Sequence, residues 1–210
     1  MSRYRLIGLF AVVALFIVSC APTPAKQGSG KVLLIAQESS MDMELMLSKE
    51  VGVMVDRLEK AGFDVIVASD SGQPITGSST TLTPDLKLAD VNVDDYVGIM
   101  LPCMASLMDN PRDKSVEIVK TAIAQGKPIA AQDYGVYILA LAGALNGKKY
   151  AISSEEKDLI YGGIYKGEGV VQDGNIITSG VCPLVTKFTT KTDGTKKLTQ
   201  KFIDALLSRQ

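Results

Sequence analysis

The residues best placed for chemistry are Asp133-Tyr134-Gly135. A short apolar run from Ile129 leads into them, and a longer one, from Val136 to Leu145, leads out. That pattern predicts a strand, a sharp turn and a helix, which is the build of a nucleophile elbow holding one side chain above a sheet. Ser or Cys is the usual apex residue; here the apex is Asp133. A carboxylate can itself be a nucleophile. It then needs an oxyanion or metal environment and a base, and the chain contains no histidine, which removes the commonest base and any Ser–His or Cys–His pair. Two readings are open: catalysis through Asp133, or a degenerate site kept for folding or ligand binding. Tyr134 is either a hydrogen-bonding member of the pocket or a half-buried aromatic at a turn.

Cys103 and Cys182 are the other reactive side chains of the domain, and Met104 follows the first of them. Each cysteine follows an expected strand, so both should lie at the same end of the sheet. Three uses are open. A disulfide between them would clamp the mouth of the pocket, if their Cα atoms lie within about 7 Å. One of them can be a reactive thiol, or the pair can do thiol redox work, given a lowered pKa. Or they can join Asp133 and Glu44 around a metal. Without a histidine or a closely spaced Cys motif, no metal and no cofactor is expected.

The third cysteine belongs to a different segment. Arg3 and Arg5 precede an apolar run from Leu6 to Val18, which then ends in Ser19-Cys20. The run is shorter than the roughly 20 residues that span a bilayer, and the order of charged, apolar and small residues reads as a secretory signal over residues 1–19. Ile17-Val18-Ser19-Cys20 resembles a bacterial lipobox, which implies a lipid on Cys20 and anchoring to the cell envelope, at the outer membrane if the source is Gram-negative. Residues 20–30, rich in Pro, Gly and Ser, read as a tether, and residues 31–210 as one domain. The 210 residues are 46% hydrophobic with a formal net charge of -1. That suits a sizeable core and gives no support to nucleic-acid binding.

Alternating elements should position these residues. Lys31–Ala36, Phe63–Ser69, Tyr96–Leu101 and Lys127–Gln132 are apolar runs of the kind buried on both faces of a parallel sheet. Helical spacing appears at Val51, Met54, Leu58 and Ala61, then over Asp113–Gln125, after the elbow, and over Lys196–Leu207. Asp173-Gly174 predicts a hairpin between two short late strands. The stretch from Asp70 to Asp95 reads as loop with a short strand. The expected fold is α/β, a flavodoxin-like three-layer sandwich with a mainly parallel sheet. Ligands of such sheets bind beyond the carboxyl ends of the strands. There this chain carries Gln37, Glu38, Asp42 and Glu44, then Pro102-Cys103-Met104, Asp133-Tyr134 and Gly180-Val181-Cys182.

The runs VLLIAQESSMDMEL, LEKAGFDVIVAS, YVGIMLP, IVKTAIAQGKPIAAQDYGVYILALAGALNGKK and VVQDGNIITS, in this order, resemble the DJ-1/PfpI (ThiJ/PfpI) family of the class I glutamine-amidotransferase-like folds. The resemblance spans Lys31 to about Leu207. It places a nucleophilic Cys where this chain has Asp133, a His where it has Tyr134, and Gly-Gly where it has Cys103-Met104. It aligns Glu44 with the acidic residue that family members hold beside the nucleophile. By that alignment Glu44 faces Asp133, as a shared-proton structural pair or as a general acid/base pair. The resemblance also implies that a homodimer is common. The family's hydrolase, amidase and glyoxalase or deglycase activities lean on the elbow Cys. The expectation is therefore a divergent envelope lipoprotein lacking that Cys, not dependent on it for any activity, and binding a ligand or partner, with an enzyme using altered residues as the alternative. The small-molecule ligand is not named by the sequence.

Overall fold

The computed structural model describes residues 27–104, 113–154 and 157–209. Cys20, the expected signal segment and most of the expected tether lie outside the described residues. Among the described residues no helix is long and apolar enough to cross a membrane.

Seven strands form the main sheet: β1 Lys31–Ile35, β2 Asp64–Ser69, β3 Leu86–Lys87, β4 Tyr96–Leu101, β5 Ile129–Gln132, β6 Val170–Asp173 and β7 Ile176–Ser179. Their order across the sheet is β6-β7-β5-β4-β1-β2-β3. Every neighbouring pair is parallel except β6 with β7, which close antiparallel through the Asp173-Gly174 turn. Side chains alternate between faces along each strand, and both faces are buried. Leu33 and Ile35 of β1, Ile99 and Leu101 of β4, and Ile129 and Ala131 of β5 enter one core. Val32 and Leu34, Met100, and Ala130 enter the other. This explains the unbroken apolar runs in the sequence.

Helices cover the two faces. α1 Met43–Met46, α2 Gly52–Lys60 and α6 Thr195–Leu207 close the second core with Met46, Met54, Leu58, Leu198 and Phe202. α3 Asp113–Ala124 and α4 Tyr134–Leu141 close the first with Ile118, Val119, Val136 and Leu139. The short helix α5 Pro183–Phe188 follows β7. The result is the flavodoxin-like three-layer α/β sandwich that the strand and helix spacing predicts.

The differences from the sequence expectation are local. The first helical segment begins at Met43, not near Val51, and its two α-helical pieces are joined by a π-helical turn at Leu47–Val51. The expected loop over 70–95 contains a small antiparallel pair, Ile75–Thr76 with Thr81–Leu82, besides β3. α5 and a two-residue parallel pair, Lys149–Tyr150 with Ile164–Tyr165, have no counterpart in the expectation.

Candidate functional site

The elbow is present and strained. Asp133 has φ 45° and ψ -106°, in the left-handed region that side chains other than glycine seldom adopt. Its N–H donates to the Ser179 carbonyl at 2.6 Å, and its own carbonyl accepts from Val136 N–H at 2.8 Å. One bond ties the turn to β7, and the other opens α4. Gly135 is required two residues on, because a Cβ there would run into the Leu101 carbonyl at the end of β4. Among the described residues only one other non-glycine has positive φ, Met104 at 52°. Both strained residues belong to this site.

Glu50 faces the elbow from the π-helical turn. It is fully buried, and its two carboxyl oxygens accept the backbone N–H groups of Cys103 at 2.9 Å and Met104 at 2.8 Å. Burial pushes its pKa up to about 8 against the pull of those two hydrogen bonds, and the charges of Asp133 and Asp193 add to the rise. Burial thus works against the charged form of Glu50, while the two N–H bonds favour it.

The Asp133 side chain is almost as buried, at 5% exposure. Both thiols converge on one of its oxygens, Oδ2: Cys103 Sγ at 3.5 Å and Cys182 Sγ at 3.4 Å. Burial raises the Cys103 thiol well above its ordinary range, and its hydrogen bond to Cys182 adds to this. For Cys182 the Cys103 contact pulls the pKa down, yet burial and the charges of Glu50 and Asp133 outweigh it. Both shifts run against the thiolate form that reactivity needs. No disulfide joins them, although the two sulfurs lie within 4.8 Å of each other. The Cys182 segment is fastened to β5 by Gln132, whose Nε2 donates to the Val181 carbonyl at 2.6 Å and whose Oε1 accepts from Thr195 Oγ1 at 3.1 Å.

The structure thus gathers Asp133, Cys103, Cys182 and Met104 at the carboxyl ends of β4, β5 and β7, as the sequence predicts. Tyr134 is half-buried beside them, with its ring 5.2 Å from that of Tyr137.

Glu44 is a correction. It does not face Asp133. Its carboxylate is turned toward the loop after Ile75–Thr76, where it accepts from Thr80 Oγ1 at 2.7 Å, Ser79 N–H at 2.8 Å and Ser79 Oγ at 2.8 Å. Those bonds, led by Thr80 and then Ser79, lower its pKa to about 2. It fixes a loop, and Glu50 takes the place assigned to it. The signal for Glu50 was in the sequence: Met46, Glu50, Met54 and Leu58 recur at four-residue steps, so an acid interrupts an otherwise apolar helix stripe.

The arrangement limits the chemistry. An oxyanion hole needs backbone N–H groups aimed at the reacting oxygen. The N–H groups of Cys103 and Met104 are both given to Glu50. The apex carboxylate lies under two thiols rather than open to a substrate.

Comparison with known proteins agrees with this architecture. The DJ-1/PfpI family pattern matches residues 30–192.

The chain belongs to the DJ-1/PfpI family.

An uncharacterized protein of Archaeoglobus fulgidus is 34% identical over 154 residues, covering 71% of this chain and 88% of that protein. A Pyrococcus furiosus protein named Deglycase PfpI is 31% identical over 153 residues, covering 71% and 89%. Among solved structures, the ThiJ/PfpI domain protein from Brachyspira murdochii superposes with a TM-score of 0.68 at 18% identity, over 86% of this chain and 98% of that one. Drosophila melanogaster DJ-1beta superposes with a TM-score of 0.60 at 23% identity, over 85% and 98%. These structural likenesses establish the fold. Within this DJ-1/PfpI frame, Asp133 stands at the elbow position where the sequence resemblance places Cys.

Proposed function

We propose that this chain is a DJ-1/PfpI domain carried on the cell envelope by a lipid at Cys20, whose elbow binds and stabilises rather than turning a substrate over. The observation that carries the loss of turnover is the bonding of Glu50. It takes the N–H groups of Cys103 and Met104, which stand where the family resemblance places Gly-Gly donors that help form an oxyanion hole, while Asp133 sits buried beneath Cys103 and Cys182. A buried carboxylate, with the Cys103 and Met104 N–H groups engaged and no histidine in the chain to act as base, is poorly equipped for acyl or glycation-adduct chemistry. The anchoring rests on the Arg3/Arg5, apolar and Ser19-Cys20 pattern. Together with the family resemblance it implies a homodimer on the membrane surface, with a small molecule or partner as ligand.

A second reading has one specific support. Relatives such as the Pyrococcus furiosus protein are named deglycases, and this chain has a strained φ at its elbow. It is a deglycase-like enzyme using Asp133.

Turnover separates the two. The full chain is incubated with methylglyoxal and with a methylglyoxal-treated peptide, wild type against Asp133→Ala. Equal rates at the protein-free background support the binding role; a wild-type rate that Asp133→Ala abolishes establishes the deglycase-like reading. For the anchor, Cys20→Ser should move the chain from the membrane fraction to the soluble fraction of the expressing cells. Retention of the variant in the membrane fraction would remove the lipid from the account.

A further inference from the structure

We propose that Cys103 Sγ, Cys182 Sγ and a carboxylate oxygen of Asp133 form a buried site for a thiophilic divalent cation of the zinc class. The three ligand atoms lie within 4.8 Å of one another, and all three residues are buried. The two sulfur–oxygen spacings match those of a tetrahedral coordination sphere. With Zn–S near 2.3 Å and Zn–O near 2.0 Å, tetrahedral angles put sulfur and oxygen about 3.5 Å apart. Here the two sulfur–oxygen distances are 3.5 and 3.4 Å.

Both sulfurs lie within hydrogen-bond reach of the same oxygen, Asp133 Oδ2. The exchange balances: one divalent cation enters, two thiol protons leave to solvent, and the net charge of the site stays the same. No electron moves. Two thiolates select a thiophilic ion over magnesium or calcium, and the carboxylate makes a third ligand that a purely two-coordinate ion would not use. Three protein ligands leave one tetrahedral position for water or an added ligand.

The supports are in place around the three ligands. Glu50 fixes the backbone at Cys103 through its N–H. Gln132 fixes the turn before Cys182 through the Val181 carbonyl. Such outer contacts hold ligand side chains in position and are part of a metal site. Because the ligands are buried, loading accompanies folding.

The site shares Asp133 with the turnover proposal, but its readouts, the cobalt spectrum and zinc retention, depend on neither turnover nor anchoring. The full chain is unfolded, reduced, and refolded with Co²⁺, then with Zn²⁺, in the presence of excess Mg²⁺. The expected results are a near-ultraviolet thiolate-to-cobalt charge-transfer band that Zn²⁺ removes, and one Zn²⁺ retained per chain after gel filtration. Cys103→Ser and Cys182→Ser should each weaken zinc retention against a chelator at least tenfold, and Asp133→Asn by about tenfold, the scale on which metal-site changes act. The wild-type cobalt spectrum reports thiolate ligation by itself, so variants that fail to fold leave the test intact. Absence of the charge-transfer band in folded wild-type chain overturns the site. So does a Cys103–Cys182 disulfide found by peptide mapping of unreduced protein isolated from cells.

Discussion

At the scale of single residues, the site turns on which carboxyl faces the elbow. The resemblance placed Glu44 there by its position after β1. The buried acid lies six positions further along the chain, within a π-helical turn. Linear alignment does not see a change of helical pitch; an acid on an apolar stripe does signal it. Asp133, Cys103 and Cys182 were legible because strand ends are where ligands bind. Their mutual distances were not, since they depend on how three loops pack. Glu50→Gln tests the central contact. A glutamine offers one acceptor and one NH₂, so one of the two backbone N–H groups of Cys103 and Met104 would face a donor inside the protein. The variant should lose about 1–3 kcal/mol of stability, the cost of a buried polar group left without its partner. Urea unfolding measures it, and an unchanged midpoint would show that Glu50 does not hold this loop.

At the scale of elements, the strands and the longer helices were legible because they are buried on both faces or along one stripe. α5 was not, since six residues starting at Pro183 carry too little periodicity to distinguish from loop. The fragments within 75–87 were hidden for the same reason: two-residue strands have no period to detect. At Gly135, α4 packs closely on the end of β4. Gly135→Ala adds helix propensity worth up to about 1 kcal/mol. Against this, the new Cβ would press on the Leu101 backbone carbonyl, which cannot swing aside as a side chain tip would. Overpacking of this kind costs about 1–3 kcal/mol, so steric strain should win. Thermal unfolding of Gly135→Ala should show a lower midpoint than wild type; a higher one would mean that α4 shifts freely over β4.

At the scale of the whole molecule, the sandwich and the family agree. Parallel strands with two covered faces bring β4, β5 and β7 to one end, whatever side chains stand there. That end of the frame carries a carboxylate between two thiols, and the fold alone does not dictate the side chains of its site. The fold was readable from patterning because patterning is what makes it; the function was not, because it rests on a few side chains at loop ends. The central claim is that Asp133 forms no covalent intermediate. Incubation with methylglyoxal-treated peptide in water enriched in heavy oxygen tests it most directly. Hydrolysis of an acyl-Asp133 intermediate by attack at the side-chain carbonyl would leave heavy oxygen in the carboxylate. We predict that mass mapping of the peptide holding Asp133 finds none above the substrate-free control. Heavy oxygen that accumulates in that peptide only when substrate is present would contradict the account.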